Sequence, residues 1–577
     1  MKRFIFLQLL WLTSGLALRA AEADSLSADT MHVDWYVTQG MAGKVDGLPA
    51  FGEMVKRHGR GAPSVVVDYS EATTIEIEEP RFAWVNITGL TTLPTSKTDV
   101  RKAWVEVYDG QGGYFRKRAL LKAQGGWSLK FPKRNFSCQF CDDEWKGEAT
   151  PGIRIGNWVR QDAFHFKAFY TDFSRGLGEV GYKLFHLMVA DRAPYWERGG
   201  YAVSSKRARC LPDGFPCAVY LEDKFQGIYA WQLKKSRKNM NMEKTDELHI
   251  HLDGNLNNQT LFQGTVAWAQ FDIRHPKAPY LTDRTKEAIL RLSQYHAQLT
   301  ALAASGADSL TVKRALEERF DIASLLDYDV FHQFVCNCDG SLKNWQWFTY
   351  DGHKWFVALY DLDQTFGVNL YGVVRPAVWR HDPLTEGPFY WVERYYQQEL
   401  RLRYAALRRS GVLTSECIVP LMQDWCERVG EDMYRQERTR WPDSPCYGEA
   451  ICNAGWQPSV RWELYGATPA YSSTAKYHAG DLCKLEGRLW EATRDVSGVR
   501  PYQRNSQLDS LQRWVDWVGS RLDYLDEQYR LSDLPLHVTL VTTSTRGGDV
   551  FYNLAGQRVV RPRKGVYIRG GRKILVR

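Results

Sequence analysis

The sequence predicts an α+β fold with two lobes, in which a β-rich amino-terminal part precedes a mostly helical part. Two observations support this prediction. Between residues 64 and 139, β-branched or aromatic residues alternate with polar ones, which is the pattern of antiparallel strands. In residues 284–302 and 311–334, apolar residues instead recur with helical spacing. Strands that precede helices in this order indicate an α+β organisation.

The individual elements follow from the same two periodicities. Residues 103–108 alternate apolar and polar side chains before the turn Asp109-Gly110. Asp321 precedes a helical stretch and has the residue type of an N-cap. Further strands are predicted at 217–222 and 225–232, and further helices at 178–190 and 508–529.

The first residues have the three parts of a secretory signal peptide. Met1-Lys2-Arg3 is positively charged, residues 4–18 form an apolar run, and Ala21-Glu22-Ala23 resembles a cleavage site. We therefore predict that residues 1–23 are a signal peptide and that the mature protein is secreted, periplasmic or held at the cell envelope. No other stretch approaches the roughly 20 apolar residues that span a bilayer, so no transmembrane segment is expected after signal removal.

Charge and cysteine content limit which cellular compartment and which kinds of partner are expected. The formal net charge is +8, but basic residues are dispersed among 67 acidic ones, so no segment resembles a nucleic-acid-binding tail. The charge still suits small anionic partners. Eleven cysteines fit an oxidising compartment. Short-loop disulfides are predicted for four local pairs: Cys138/Cys141, Cys210/Cys217, Cys417/Cys426 and Cys446/Cys452.

Composition divides the chain into segments. Residues 444–505 are rich in Tyr, Gly, Ser and Pro and interrupt the helical pattern, so we interpret them as an inserted module. The tail has short strands between Gly turns, which is enough for a small sheet. The predicted boundaries are 1–23 (signal peptide), 24–100 (β-rich region), 101–443 (main domain), 444–505 (insert), 506–530 (helix that returns to the main domain) and 536–577 (small β tail).

A hairpin with acidic ends is the most informative stretch of the sequence. Asp351-Gly352 lies between two aromatic, β-prone runs, which is the strongest short-range signal for a two-residue turn. Counting outward from that turn places Gln346 opposite Val357 and predicts that Asn344 follows at the open end. Because side chains alternate along strands, Asp361 is then expected on the same face as Asn344, roughly 7 Å away.

Four oxygen-bearing side chains converge at that end of the predicted hairpin. Asp339 precedes Asn344 in a Gly-Ser loop, and Asp363 follows Asp361 by two positions. Hard cations such as Mg²⁺ prefer carboxylate and amide oxygens together with the phosphate oxygens of a substrate. The spacing of these residues matches the layout of phosphoryl-transfer sites. The pattern predicts a magnesium and phosphate site, although Asp and Asn also cluster at strand ends as plain turn residues.

The same stretch resembles the CotH (spore-coat H) kinase-like family. Residues 339–367 follow that family's pattern of an Asp, an Asn before a strand, and a strand that closes with Asp-x-Asp-x-Thr-Phe-Gly. The resemblance covers roughly residues 103–367, with a returning helix near residues 514–525. Two earlier segments occur in the family's order: Gln124-Gly125-Gly126-Trp127-Ser128 with Phe131-Pro132-Lys133-Arg134-Asn135-Phe136, and Tyr220-Leu221-Glu222-Asp223-Lys224-Phe225-Gln226-Gly227-Ile228-Tyr229.

The resemblance implies an atypical, two-lobed protein-kinase-like fold. It implies ATP and Mg²⁺ as cofactors, and phosphate transfer to Ser or Thr of a secreted or envelope protein. By position in the family pattern, Asp339 takes the catalytic role, while Asn344, Asp361 and Asp363 hold the metal. For the cation that neutralises phosphate, Lys133 is favoured, with Lys130, Lys167 and Lys235 as alternatives.

Departures from the family pattern leave alternatives open. Gln124 stands where the family often has Arg, so an inactive envelope scaffold that binds glycan is the alternative to a kinase. The insert resembles carbohydrate-binding modules of the chitin-binding type around Tyr477, Gly480 and Asp481, although these are also ordinary turn and core positions. The tail resembles the C-terminal tails of exported proteins. A third interpretation, a glycosyltransferase that uses Asp361-Leu362-Asp363, lacks a preceding βαβ series.

Overall fold

A computed structural model describes most of the chain from residue 47 onward. The predicted signal peptide and the catalytic candidate Asp339 lie outside the described residues. Helices and sheets both occur, which confirms the α+β fold class. The described residues are 47–58, 67–68, 75–90, 92–110, 113–142, 144–147, 152–201, 207–254, 261–266, 268, 271–337, 340, 343–368, 377–378, 384, 386–442, 444, 446, 455–459, 461, 464–485, 488–501, 507–534, 551–552, 558–559, 565–569 and 572–576.

A closed sheet forms the first half of the described fold. Its strands and their short companions are β1 (Val67–Asp68), β2 (Ile75–Ile77), β3 (Ala83–Thr88), β4 (Arg101–Tyr108), β5 (Tyr114–Gln124), β6 (Asn135–Phe140), β7 (Ile153–Ile155), β8 (Ala163–Lys167), β9 (Gly214–Leu221) and β10 (Lys224–Leu233). Eight of these described strands pair in the order β1-β5-β4-β3-β9-β10-β8-β6, and β6 also pairs with β5. The additional pairing joins β6, at one end of this order, to β5, which is next to the other end. The seven strands from β5 to β6 therefore form a closed barrel, and β1 pairs with β5 outside that closed circle.

The barrel encloses a hydrophobic core of its own. β5 alternates half-buried and buried residues along its whole length, so one face of the strand points inward. Phe115 and Leu121 of that face belong to the same buried cluster as Phe166 of β8 and Trp231 of β10. Because β3 pairs with both β4 and β9, the boundary predicted at residue 100 cuts through this barrel instead of separating two units.

A second sheet and most of the helices form the other half. β11 (Ile250–Asp253), β12 (Asp272–His275), β13 (Gln346–Thr349) and β14 (Trp355–Ala358) pair antiparallel in the order β12-β11-β13-β14. The described helices are α1 (Phe51–His58), α2 (Leu177–Met188), α3 (Tyr195–Arg198), α4 (Asp283–Ala304), α5 (Ser309–Arg319), α6 (Ile322–Val335), α7 (Pro388–Tyr395), α8 (Gln397–Arg409), α9 (Ser415–Val429), α10 (Glu431–Arg440) and α11 (Gln507–Gln528). α6 is central, since it packs on β14 and on α2, α7, α8 and α11. None of the helices in the described ranges is long and apolar enough to cross a membrane.

Local signals account for where α5 ends and α6 begins. The sequence predicted one helical stretch over residues 311–334, but Phe320 has extended backbone and separates two helices. Asp321 caps α6, because its carboxylate accepts a 2.7 Å hydrogen bond from the N–H of Ser324. The predicted N-cap is therefore confirmed, and it marks a break that helical spacing alone did not reveal.

The register predicted for the hairpin was wrong by one residue. Gln346 pairs with Ala358, one position beyond the predicted partner, and five residues separate β13 from β14. The carboxylate of Asp351 accepts hydrogen bonds from the N–H groups of His353 and Lys354, both at 2.7 Å. These bonds stabilise a wider loop than the two-residue turn that Asp-Gly favours.

The corrected register also removes the argument that placed Asn344 and Asp361 on one face. A slip of one residue exchanges the two faces of a strand. Both residues lie beyond the ends of their strands, with φ of +69° for Asn344 and +55° for Asp361. Strand alternation therefore no longer determines where their side chains point, and tertiary contacts decide the geometry.

Two small β units follow the helical part. The insert has β15 (Trp456–Pro458), β16 (Lys476–Tyr477), β17 (Leu482–Leu485), β18 (Arg488–Ala492) and β19 (Val496–Ser497), paired as β15-β18-β17 and β16-β19. Trp456, Tyr477 and Trp490 form the core of this unit, so these rings serve its packing. The tail has β20 (Phe551–Tyr552), β21 (Arg558–Val559), β22 (Gly565–Arg569) and β23 (Arg572–Val576), in the order β21-β20-β22-β23.

The disulfide prediction was wrong for the pairs that the structure describes. Cys417 and Cys426 lie on one helix, about 13 Å apart along its axis, which is too far for a disulfide. Cys452, the partner predicted for Cys446, lies outside the described residues. Cys210 and Cys217 belong to two different buried clusters, and the cluster of Cys217 is the core of the barrel. Free thiols occupy four of the predicted positions: Cys138, Cys141, Cys210 and Cys217.

Candidate functional site

The acidic segment after β14 forms an ion pair with a strand of the barrel. Lys167 is the last residue of β8, and its ammonium donates a 2.8 Å hydrogen bond to Oδ1 of Asp361. The Lys167 side chain is 3% exposed, whereas the Asp361 side chain is 26% exposed. The N–H of Asp361 donates to the Tyr182 hydroxyl of α2 at 2.9 Å. The pair therefore lies where the barrel meets the helical part, and its carboxylate reaches solvent on one side.

Electrostatics keep both members of this pair charged. Burial by itself would raise the pKa of Asp361, but the neighbouring lysines, Lys167 most strongly, lower it below its ordinary value. Burial would also lower the pKa of Lys167, yet Asp361, the Tyr360 hydroxyl and Asp363 raise it. A carboxylate that stays ionised and partly exposed can bind a further cation.

A second charged group lies beside this pair. Lys235 follows β10, and its ammonium lies 2.5 Å from Oδ2 of Asp253, the last residue of β11. Asp253 also accepts hydrogen bonds from Arg274 of β12 and from Gln346 of β13, both at 2.7 Å. The Lys235 ammonium lies 3.2 Å from the centre of the Tyr360 ring. Burial lowers the pKa of Lys235 to about 8, although Asp253 opposes the shift.

Further basic residues lie close to this second charged group. Burial and repulsion from Lys122 and Arg274 lower the pKa of Lys234 to about 8. Burial, followed by the charges of Lys234 and its neighbours, also lowers the pKa of His165. The Nδ1 atom of His165 is buried and has no hydrogen-bond partner among the described residues. Several basic groups around a half-open ion pair favour a ligand with several negative charges, such as a chain of phosphates.

Asn344, a predicted metal ligand, lies next to the turn after β11. Its N–H donates a 3.1 Å hydrogen bond to the carbonyl of Gly254, one residue beyond Asp253. The residue is 9% exposed, and its Nδ2 atom is buried with no hydrogen-bond partner in the described part of the chain. An amide whose nitrogen makes no hydrogen bond is not held in one orientation by that nitrogen, and its oxygen is an acceptor. The side chain therefore fits the role of a metal ligand.

Of the other acidic residues predicted for the site, the structure describes Asp363 but not Asp339. Asp363 is half-buried, and its charge contributes to the raised pKa of Lys167. Among the described residues, no group of three or more His, Cys, Asp or Glu side chains has the arrangement of a metal site. Asp339 lies outside those residues, so the structure places Asp361, Asp363 and the Asn344 amide without it. Carboxylate and amide oxygens are the types of ligand that a hard cation prefers.

Lys133, the cation favoured from the sequence, requires a correction. Its ammonium donates to Oε1 of Glu437 at 2.7 Å and to the carbonyls of Ala168 at 3.2 Å and Ile228 at 2.5 Å. Lys133 and Glu437 both have side chains that are 0% exposed. Burial lowers the pKa of Lys133 to about 7, although Glu437 opposes the shift. A buried ammonium that donates to three acceptors has no donor left for a phosphate, so Lys167 replaces it as the candidate cation.

Gln124 contacts Lys167. Oε1 of Gln124, at the end of β5, accepts a 3.4 Å hydrogen bond from the Lys167 ammonium. Lys130, another candidate cation, is half-buried at the end of the short helical turn Trp127–Lys130. The residue type that departs from the family pattern, Gln124, thus touches the candidate site itself.

Sequence reasoning missed three residues of the site: Asp253, Arg274 and Tyr182. Asp253-Gly254 ends a short strand, and an Asp-Gly pair after an apolar run was the same signal that identified Asp351-Gly352. Arg274 and Tyr182 had no comparable signal, because the sheet order and the packing of α2 bring them to the site.

Comparison with known proteins adds one finding to this geometry. A protein-family model described as "CotH kinase protein" matches residues 121–457, more than half of the chain. The match includes Lys167, Lys235, Asn344 and Asp361 and ends before α11. No curated protein matches the chain. Because this family model matches more than half of the chain, the chain belongs to the CotH kinase family.

Proposed function

We propose that this protein is an exported kinase that transfers phosphate from ATP to Ser or Thr side chains of secreted or envelope proteins. Family membership supports a kinase-like function, and the signal-like residues 1–23 support export. The observation that carries the proposal is the ion pair between Lys167 and Asp361. It presents a buried cation and a partly exposed carboxylate 2.8 Å apart, which are the two kinds of charged group that phosphoryl-transfer sites use for phosphate and for metal.

The described residues divide into cation and oxygen donors. Lys167 and Lys235 direct ammonium groups at the junction and neutralise a polyphosphate there. Asp361, Asp363 and Asn344 provide the oxygens that would hold Mg²⁺. Bound Mg²⁺ supplies further neutralisation of phosphate charge. Binding and orientation of the nucleotide therefore rest on residues from both halves of the fold.

The role proposed for Asp339 is to take or orient the proton of the acceptor hydroxyl. Its role rests on sequence position, five residues before Asn344. A carboxylate at that position acts on the attacking group, whereas Asp361 acts on the metal and the phosphates. The two aspartates are therefore expected to affect different steps.

Nucleotide binding and phosphate transfer test this division. Asp361→Ala is expected to weaken Mg²⁺-dependent ATP affinity and to lower turnover by about 100-fold or more, because a charge-bridging contact is lost. Asp339→Ala is expected to retain ATP affinity and to lose turnover to a similar extent. Calorimetric titration with ATP and thermal shifts with ADP, each with and without Mg²⁺, measure binding separately from transfer.

Asp283→Ala is the matched control, since Asp283 is an exposed aspartate at the start of α4. It is expected to leave both measurements unchanged. A wild-type protein that shows no Mg²⁺-dependent nucleotide binding at millimolar Mg²⁺ would contradict the proposal and favour an inactive scaffold.

A further inference from the structure

α11 contacts the end of α6 and the segment that follows Asp361, although it lies beyond the region that the family match covers. We propose that α11 is a working part of the phosphotransfer site and that Arg521 is its positioning residue. This inference rests on the proposed kinase function, because it names the residue that aligns the two segments carrying that site.

Arg521 ties α11 to the end of α6. The side chain is 0% exposed, so the guanidinium is fully withdrawn from solvent. Its Nη2 donates a 2.5 Å hydrogen bond to the carbonyl of Gln333, and its Nε donates a 3.3 Å bond to the carbonyl of Phe334. The last carbonyls of a helix have no intrahelical partner and carry partial negative charge. A buried cation at this point satisfies them and holds the end of α6 in place.

The end of α6 leads directly into the segment that carries Asn344. Cys336, the C-cap of α6, has a left-handed backbone with φ of +51°. The direction in which the chain leaves α6 is therefore set two residues beyond the last carbonyl that Arg521 holds. Nη1 of Arg521 also donates a 2.8 Å hydrogen bond to the carbonyl of Ala377, beyond the second segment of the site.

Two aromatic residues of α11 hold the segment that carries Asp361 and Asp363. The ring of Trp514 lies 5.4 Å from the ring of Phe366, and the ring of Trp517 lies 6.2 Å from it. The N–H of Phe366 donates to the carbonyl of Val335 in the last turn of α6. One helix thus packs on the metal-ligand segment and hydrogen-bonds the end of the helix that precedes Asn344.

This arrangement makes α11 the common support of two segments whose relative position determines phosphate transfer. A displacement of about 1 Å between reacting groups can cost about 100-fold in rate. Arg521 donates hydrogen bonds to main-chain carbonyls at the end of α6 and at Ala377, so its effect on the proposed metal ligands is expected through their alignment. Loss of the guanidinium should therefore lower the rate of transfer more than it lowers nucleotide affinity.

Steady-state kinetics of Arg521→Met test the alignment. The expected result is a fall in kcat of about 100-fold with a change in the KM for ATP of less than about threefold. Arg521→Lys keeps the charge but reaches fewer carbonyls, so a smaller loss of about 10-fold is expected. An unchanged kcat in a folded Arg521→Met protein would overturn the inference. If that variant does not fold, an unchanged kcat for Arg521→Lys has the same meaning.

Arg401→Met is the matched control. Arg401 of α8 donates a 3.0 Å hydrogen bond to the carbonyl of Tyr529, just after α11, so it anchors the same helix at its C-terminal end. This variant is expected to lose some thermal stability while its kcat stays within about twofold of wild type.

Amide hydrogen exchange in the nucleotide-free protein separates this inference from the proposed function. Arg521→Met is expected to speed exchange in the last turn of α6 and at residues 361–368, whereas Arg401→Met is not. Absence of phosphate transfer in the wild type would remove the proposed function, and the exchange result would still decide whether Arg521 holds these segments. Exchange that is the same in wild type and Arg521→Met would overturn the positioning role.

Discussion

Two lysine–carboxylate pairs lie against the barrel, and they differ in access to solvent. Lys133 and Glu437 are both 0% exposed, with 2.7 Å between the ammonium and the carboxylate. Lys167 and Asp361 lie 2.8 Å apart, but the carboxylate is 26% exposed. The same chemical pair therefore occurs once in a closed environment and once in an open one.

The closed pair is enclosed by partners that satisfy every polar group. Glu437 of α10 also accepts hydrogen bonds from Nε of Arg175 at 2.8 Å and from the N–H of Ile228 at 2.7 Å. Gly227 leaves room for it, because a Cβ there would lie 2.4 Å from Oε2 of Glu437, and its φ is +128°. Lys133 and the Gly227-Ile228 segment thus both contact Glu437, and these contacts connect α10 to the barrel.

The contrast teaches that two lysine–carboxylate pairs in one fold can differ in how completely their hydrogen bonds are satisfied and in how much of the carboxylate reaches solvent. A buried ion pair whose donors and acceptors are all satisfied resists change but binds nothing further. The open pair between Lys167 and Asp361 keeps a charged carboxylate within reach of solvent. Removal of one partner should therefore cost stability in the first case and ligand binding in the second.

The largest difference is expected between Lys133→Met and Lys167→Met in urea unfolding. Lys133→Met leaves Glu437 buried with one cation fewer, so the free energy of unfolding should fall by about 3 to 5 kcal/mol. Lys167→Met leaves Asp361 in contact with water, so the fall should be about 1 kcal/mol or less. Equal losses in the two variants would contradict the comparison, and nucleotide titration of Lys167→Met should show the loss of binding instead.

An intermediate effect is expected at Glu179, a buried carboxyl without a cation at ion-pair distance among the described residues. Burial raises the pKa of Glu179 to about 8, even though Nε2 of Gln232 donates a 2.6 Å hydrogen bond to Oε1. The native carboxyl keeps its proton while the unfolded chain releases it near its ordinary pKa. Stability contributed by this group is therefore complete at low pH and is lost as the pH rises toward about 8.

Glu179→Gln should remove that part of the pH dependence. The variant is expected to be more stable than wild type at pH 8, by on the order of 2 kcal/mol, and to differ little at pH 5. Urea unfolding at pH 5, 6, 7 and 8 measures the two slopes. Parallel slopes in the two proteins would mean that burial does not keep Glu179 neutral, and the distinction between paired and unpaired buried carboxylates would weaken.

The smallest effect is expected at an exposed pair on the same helix as Glu437. Arg435 and Asp432 of α10 form an ion pair three residues apart, with side chains 65% and 83% exposed. Arg435→Ala should change the free energy of unfolding by less than about 0.5 kcal/mol, because water screens such pairs. A loss near that of Lys133→Met would show that α10 is fragile in general and that burial of the Lys133 pair is not the cause.

Parts of the candidate site were predictable because their signals are local. The predicted N-cap at Asp321 is confirmed by a hydrogen bond to a residue three positions away. The acidic segment at Asp361 and Asp363 followed from a strand that ends in carboxylates. The hairpin register was not predictable in the same way, because hydrogen bonds to Asp351 favoured a five-residue loop over the turn that Asp-Gly usually forms.

By itself, the sequence determined the α+β class, the order of strands and helices and the oxygen-rich segments around Asn344 and Asp361, because periodicity and residue type are properties of neighbouring positions. Only the tertiary structure decided which lysine pairs with a buried carboxylate and which pairs with a partly exposed one. Lys133 and Glu437 are 304 positions apart, and Lys167 and Asp361 are 194 positions apart. The role of each ammonium depends on acceptors that distant segments bring to it, and in the isolated sequence the two lysines are chemically identical.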